Sequence, residues 1–545
     1  VECNLWQIFS AVSGAVPERE AIVWRERRST YRRLAERSAC LAAVFGAHGL
    51  GLRRERAGMA PWESGQDLIG LYMLNGPEYL EASLAGYAAR AVPFNVNYRY
   101  VAEELSYLLR DAGAAALVYH ARFAPTLAAV LPSLDRAPLL LQVADGSDEP
   151  RLPGAIDYEQ ALAAAEPTVP VDGHAPDDLY ALYTGGTTGM PKGTLWRQAD
   201  VWIGALGGDS FDEHDGPAEI ARKVATVDAQ RVLPCAPFMH GAAHWLALRV
   251  LCTGSTIVVN DAVDRLDPAD FWRVVDRERI QWTLFVGDAF ARPLLDEYEA
   301  GDYDGSSLEF VSVGGAITSP ATKARIHELL PQVLIADVAG ASETGAALQQ
   351  VSAAGAPVEA GVFWRREGVS VVDELRHRHV EPGEDHVGWF AKSGRIPLGY
   401  LGDRQKTEAT FVTIDGVRWS IPGDRARLRA DGRVELLGRD SVTINSAGEK
   451  IFAEEVEQAM LAHHAVADAI VVGRPSDRWG QEVVAIVEFA VGASASDDEL
   501  LACAAEHIAR YKLPKEIIRV ERIERSPAGK ADYRWARAIT TAPRD

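Results

Sequence analysis

From about residue 20 to residue 440, short apolar runs alternate with longer stretches whose apolar positions recur at helical spacing. The runs AALVYH (115–120), STIVVN (255–260), WTLFVG (282–287) and LEFVSVGG (308–315) have the length and the β-branched or aromatic content of buried strands. Between such runs lie amphipathic pieces, DPADFWRVVDRERI (267–280) and PATKARIHELL (320–330). Ser319 before Pro320 predicts an N-cap followed by proline at the first helical position, where a missing N–H costs nothing. Strands alternating with helices predict an α/β protein with largely parallel sheets, and no internal repeat interrupts the pattern.

Near Gly438 the texture changes. GRVELLGRDSVTINSAGEKIFAEEVEQAMLAHHAVADAIVVG reads as strand, turn, strand, helix, strand, the order of a small α+β unit. A boundary at Gly438 to Ser441 divides the chain into residues 1–438 and 439–545, and 545 residues are too many for one compact core.

Charge narrows the partners. With 77 acidic and 56 basic residues the net charge is −21, which disfavours non-specific attraction to nucleic acid or anionic membranes. An anionic ligand must therefore be held by local devices. The segment from Ile508 onward reverses the sign, with ten basic and five acidic residues. Five scattered cysteines, none spaced as CxxC, point to reduced thiols and a cytoplasmic protein without a disulfide framework or zinc site. No run of about 20 apolar residues predicts a membrane span. The opening VECNLWQIFSAV carries no charged segment of the kind that starts a secretion signal.

Candidate chemistry starts at TGGTTGMPKG, Thr184 to Gly193, directly after the apolar run DLYALY. Glycines let a loop's backbone approach an anion closely, its N–H groups and threonine hydroxyls supply donors, and Lys192 adds a point charge. The pattern is not GxxxxGK[ST], because Lys192 lies between Pro191 and Gly193.

YTGGTTGMPKG closely resembles the phosphate-binding signature of the adenylate-forming superfamily, which includes acyl-CoA synthetases, luciferases and peptide-synthetase adenylation domains. Other segments follow in that family's order. The resemblance implies phosphate contacts from Thr184, Gly185, Gly186, Thr187, Thr188 and Gly189, with Lys192 beside them. APFMHGA resembles the motif beside the acyl pocket, with His240 as gate or wall for the carboxylate substrate. SVGGAITSP implies that Gly314, Gly315 and Ala316 line the adenine site. DVAGASETG implies nucleotide contacts from Asp337, Ala339, Gly340 and Ser342, with Glu343 at Mg²⁺ and Thr184 as a second metal contact. Ala339 departs from the family, which usually places an aromatic there to stack on adenine. SIPGDRARL makes Asp424 the acceptor for the ribose hydroxyls, and Arg439 matches an arginine that meets ribose or phosphate. The hinge falls at Ser441, beside Asp440. After it, NSAGEK, with Ser446 and Gly448, resembles the loop that serves the thiol half-reaction. RSPAGKADYR makes Lys530 the adenylation lysine.

Such a family implies a fold with a large N-terminal domain of several subdomains, built on parallel and mixed sheets, and a small mobile C-terminal domain. It also implies a two-step ligase using ATP, Mg²⁺ and coenzyme A: a carboxylic acid becomes acyl-AMP with release of pyrophosphate, and the acyl group passes to the thiol. Arg474, Arg478, Arg510 and Lys512 are candidates for the coenzyme's phosphates. The subgroup resemblance is to bacterial fatty-acid and steroid-side-chain ligases, carried by LYTGGTTGMPKGTLWRQ, FVGDAFARPLL, PGDRARL and SPAGKADYRWA. It implies a medium-to-long or polycyclic acid, with an aryl acid as the alternative, and allows a homodimer. Two rival readings are an acyl-AMP ligase serving a carrier protein and a non-catalytic nucleotide-binding relative. That the chain ends soon after Lys530, without a fused carrier domain, favours thioester formation by the chain alone.

Overall fold

The computed structural model describes every residue except 1, 185–189, 213, 317, 357, 358, 360, 447, 448, 477, 478, 526–528 and 542–545. All four apolar runs form strands: Ala116–His120, Thr256–Val259, Trp282–Phe285 and Phe310–Gly314. Both amphipathic pieces form helices, Pro268–Glu278 and Pro320–Leu329, and the Ser319 hydroxyl accepts from the Thr322 amide at 3.2 Å as an N-cap.

An eight-stranded sheet forms the centre. Its inner strands are parallel, and the strands Arg27–Thr30 and Gly345–Ser352 close its two edges antiparallel. A five-stranded parallel sheet runs beside it from Leu68–Tyr72 to Ile156–Asp157. Both fit the reading of buried strands joined by helical crossovers.

From Val362 to Arg439 the structure departs from the largely parallel expectation, because this segment folds into a seven-stranded sheet whose pairings are antiparallel. The physical reason is the length of the connections. Phe411–Ile414 and Val417–Ser420 are joined only by Asp415 and Gly416, both at positive φ (50° and 77°), a hairpin turn of the type that Asp-Gly favours. A parallel crossover needs a dozen or more residues.

Past Arg439 the expected order appears: strands Ile444–Ser446 and Glu449–Ile451, helix Ala453–Leu461, then strands Val466–Ser476 and Gly480–Phe489. Residues between Val442 and Ala536 form their own hydrophobic core, separate from the large one that extends from Cys3 to Ile335.

One buried ion pair anchors the strand that leads into the glycine-rich loop. Asp178, immediately before the strand Leu179–Thr184, accepts from Arg90 Nη2 at 2.8 Å, from Asn4 Nδ2 at 2.8 Å and from the Ala175 amide at 3.1 Å. Both side chains of the Arg90–Asp178 pair are almost wholly buried, at 5% and 2% exposure. Arg90→Ala would strand a buried carboxylate. It is expected to lower unfolding stability by about 3 kcal/mol, read from denaturant melts.

Candidate active site

The strands Leu179–Thr184 and Lys192–Arg197 pair antiparallel, so Thr184 faces Lys192 across the base of the glycine-rich loop. Gly185, Gly186, Thr187, Thr188 and Gly189 lie outside the described residues. Gly193 is required by packing, because a Cβ there would come within 2.7 Å of the Tyr183 ring.

At the loop's mouth runs a chain of oxygens. The hydroxyls of Thr184 and Ser342 are 3.1 Å apart, and Ser342 Oγ donates to Glu343 Oε2 at 3.1 Å. Tyr400 Oη donates to Glu343 Oε1 at 2.8 Å, while the Glu343 carbonyl accepts from Ser420 Oγ at 2.7 Å. Lys192 Nζ stands 5.3 Å from the centre of the Tyr400 ring. Burial, then the nearby Lys406 charge, holds the Lys192 ammonium below the usual lysine range, with Glu343 opposing.

Asp424 and Arg439 face each other on neighbouring antiparallel strands, with Arg439 Nε 3.1 Å from Asp424 Oδ1. Burial raises the Asp424 carboxyl even with that guanidinium beside it. Lys530 reaches the same place from the small domain. Burial and then Arg439 lower its ammonium, and Glu343 and Asp424 pull the other way. Preceding it, Gly529 sits at φ 72°, where its missing side chain lets the turn seat against Val286 and Phe290.

His240 stands at the N-cap position of the helix Gly241–Cys252 without a capping side-chain bond, and its Nε2 is buried without a hydrogen-bond partner among the described residues. Burial first, then Lys530 and Arg99, push its imidazole down to about 3, so the ring is neutral and its free nitrogen is available to a ligand. Gly314 ends its strand where a Cβ would meet the Val338 carbonyl at 2.6 Å; Gly315 turns the chain at φ 76°, with Ala316 next. Gly340 likewise admits no side chain, since a Cβ would lie 2.0 Å from the Gly345 carbonyl oxygen at a register shift in the sheet. Ala339 packs against an apolar cluster that includes Phe363 and Leu428.

Other candidates have protein partners. Lys323 engages the Asp337 carboxylate. Ser446 lies in the small domain's own sheet opposite Glu449 and Gly480, and Gly448 falls outside the described residues. Arg474 is paired with Glu482 and Glu516 at 2.6 Å each, and Lys512 with Glu455 at 2.6 Å. Arg478 lies outside the described residues, and Arg510 starts a short 3₁₀ turn. Sequence reasoning missed Tyr400, which orients Glu343, because a lone tyrosine in PLGYLGD carries no motif.

A cavity of about 1360 Å³ opens beyond the ends of the strands Arg231–Pro234, Thr256–Val259 and Trp282–Phe285, where the strand order reverses, a usual ligand position in α/β sheets. Asn75, Arg99, Cys235, Asn260 and Phe290 line the large-domain side of this cleft, and His463, His464, Ala467, Phe489, Arg525 and Gly529 line its small-domain side. Among the described residues no cluster of three or more His, Cys, Asp or Glu could hold a metal ion, and no helix is long and apolar enough to cross a membrane. Glu343 with the Thr184 and Ser342 hydroxyls instead offers one hard carboxylate and neutral oxygens. That donor set fits Mg²⁺, which keeps waters and phosphate oxygens as its other ligands.

Hydroxyls, two lysines and the half-buried Asp424–Arg439 pair thus converge around Glu343, a set suited to holding an anionic ligand. The AMP-binding enzyme family matches residues 9–389 and the AMP-binding enzyme C-terminal domain matches residues 455–530; the chain belongs to this family. It is 50% identical to the medium-chain acyl-CoA ligase Mig of Mycobacterium avium, over 97% of each chain. It is 39% identical to the 3-oxocholest-4-en-26-oate–CoA ligase of Rhodococcus rhodochrous, over 98% of this chain and 96% of that one. The crystal structure of the anthranilate CoA ligase AuaEII in complex with anthranoyl-AMP shares the fold, with a TM-score of 0.82 at 19% identity over 99% of this chain and 97% of that one. Within the family, the chain is an AMP-forming acid–thiol ligase, an acyl-CoA synthetase that activates a carboxylic acid with ATP and passes it to coenzyme A.

Proposed function

We propose that the acid is a medium-to-long fatty or steroid-side-chain carboxylate, and that residues 1–438 and 439–545 act as adenylation domain and mobile lid. The similarity over nearly the whole chain to relatives named for such acids carries this reading. Five free cysteines, three of them buried, suit a cytoplasmic setting.

In the first half-reaction the substrate carboxylate attacks the α-phosphorus of ATP in line, and the P–O bond to pyrophosphate breaks. Lys192 and Lys530 offset the charge that gathers on the phosphate and carboxylate oxygens. Glu343, held by Tyr400 and Ser342, would hold Mg²⁺, which neutralises the polyphosphate when bound. The neutral His240 ring borders the acid. In the second half-reaction the small domain turns about Arg439 to Ser441, withdraws Lys530 and brings residues 445–450 to the acyl-AMP. The coenzyme's sulfur then forms the thioester as AMP leaves.

Asp424 is the ribose acceptor in this reading, and Arg439 opposes the burial that raises its carboxyl. Asp424→Ala is expected to weaken ATP binding by about tenfold or more through the lost charge-assisted hydrogen bonds, measured by calorimetric titration. Unchanged ATP affinity would remove Asp424 from the site. The acid itself is tested with a panel of octanoate, palmitate, a steroid side-chain acid and benzoate, following pyrophosphate release and product mass with and without coenzyme A. Preference for benzoate would overturn the proposed acid class, and acyl-AMP accumulating beside unused coenzyme A would overturn thiol transfer.

A further inference from the structure

We infer that Arg292 is a positioning residue for adenylation: it clasps the small domain in the orientation that delivers Lys530. This inference rests on the two-step reading above. Arg292 lies on the helix Gly287–Ala300 of the large domain, outside the cluster around Glu343 and Asp424. Its Nη1 donates to two backbone carbonyls of the small domain, Val466 at 3.1 Å and Ala467, bridging more than 170 residues of sequence.

The guanidinium is itself held. Its Nη2 donates to Asp288 Oδ2 at 3.0 Å, one helical turn back, and Asp288 Oδ1 accepts from the Ser319 amide at 2.9 Å. A continuous polar chain thus links the N-cap of the helix Pro320–Leu329 to the start of the small domain's strand Val466–Ser476. Asp288 is buried and Arg292 half-buried, so the contact is shielded from much of the solvent that weakens surface pairs.

The same helix receives the catalytic turn. A Cβ on Gly529 would lie 3.1 Å from the Val286 carbonyl oxygen and 3.2 Å from the Phe290 ring, so the residue before Lys530 rests directly on the start of this helix. Arg292 lies two residues beyond Phe290. Small-domain orientation and Lys530 delivery are therefore set by one rigid element, with Arg292 as its electrostatic grip.

A charged donor on two neutral carbonyls is strong enough to bias a two-state orientation, and small enough to be released in each cycle. The carbonyl partners belong to the small domain, so rotation about Arg439 to Ser441 breaks both bonds. Loss of the grip should slow the half-reaction that needs this orientation and spare the one that needs the other.

The test compares wild type, Arg292→Ala and Arg292→Lys in two assays. One is octanoate-dependent exchange of labelled pyrophosphate into ATP, and the other is single-turnover thioester formation from synthetic octanoyl-AMP and coenzyme A. Arg292→Ala is expected to slow exchange by on the order of tenfold and to leave thioester formation within about twofold of wild type. Arg292→Lys should fall between, since one ammonium replaces a fork that reaches two carbonyls and Asp288. Unchanged exchange, or a parallel loss of both half-reactions, would overturn the clasp. Wild-type enzyme that carries out neither half-reaction with octanoate, palmitate or a steroid side-chain acid would overturn the proposed function itself, and the clasp with it.

Discussion

Lys530→Ala is expected to lower acid-dependent pyrophosphate release by roughly 10²–10³-fold, the range for removing one positioned donor from a charge-developing transition state. Thioester formation from synthetic acyl-AMP should survive almost intact, because the proposed cycle withdraws the lysine before the thiol attacks. Equal loss of both half-reactions would reject that division of labour. The electrostatics add a pH arm. Burial and Arg439 lower the Lys530 pKa from its ordinary value, so the ammonium is fully present below the lowered pKa and is lost as pH rises through it. Adenylation kcat/KM in the free enzyme should therefore fall on the alkaline side sooner than for an ordinary lysine. Lys530→Arg, which stays charged, should move that alkaline limb to higher pH, leaving the part that Lys192 contributes.

Glu343→Gln keeps the shape of the side chain and an oxygen to accept from Tyr400, but removes the charge. Metal-assisted neutralisation of a polyphosphate is worth several kcal/mol, and each 1.4 kcal/mol is a factor of ten, so a rate loss of roughly 10²–10³-fold is expected. The measurement that identifies the cause is a Mg²⁺ titration of pyrophosphate release. Its midpoint should rise at least about tenfold in the variant, because a neutral amide oxygen replaces the Glu343 carboxylate. A lower rate with an unchanged Mg²⁺ midpoint would assign Glu343 to another role. Tyr400→Phe provides a smaller companion effect, since it frees the carboxylate from its 2.8 Å hydrogen bond without removing it.

The central strands were legible because both faces are buried: the strands Thr256–Val259 and Phe310–Gly314 are apolar at nearly every position and flanked by amphipathic helices. The antiparallel segment from Val362 to Arg439 was less so. Its strands are short, and the Asp415-Gly416 turn that marks its hairpin occupies only two residues. Glu343, Asp424 and Lys530 stood out because each sits in a motif with glycines that the backbone needs. Tyr400 and Arg292 carry no such signature; their importance lies in what they touch, Glu343 in one case and the carbonyls of Val466 and Ala467 in the other.

By itself, the sequence determined the alternation of strands and helices, the change of texture at Gly438 and the residue types at each motif. Those are local properties, set by side-chain period, backbone freedom at glycine and the order of residues along the chain. Only the tertiary structure decided that Asp424 meets Arg439, that Lys530 enters their neighbourhood from the small domain, and that Arg292 grips that domain from the side. The Arg292 contacts join positions more than 170 residues apart in sequence. They depend on how sheets and domains pack, which no local pattern encodes.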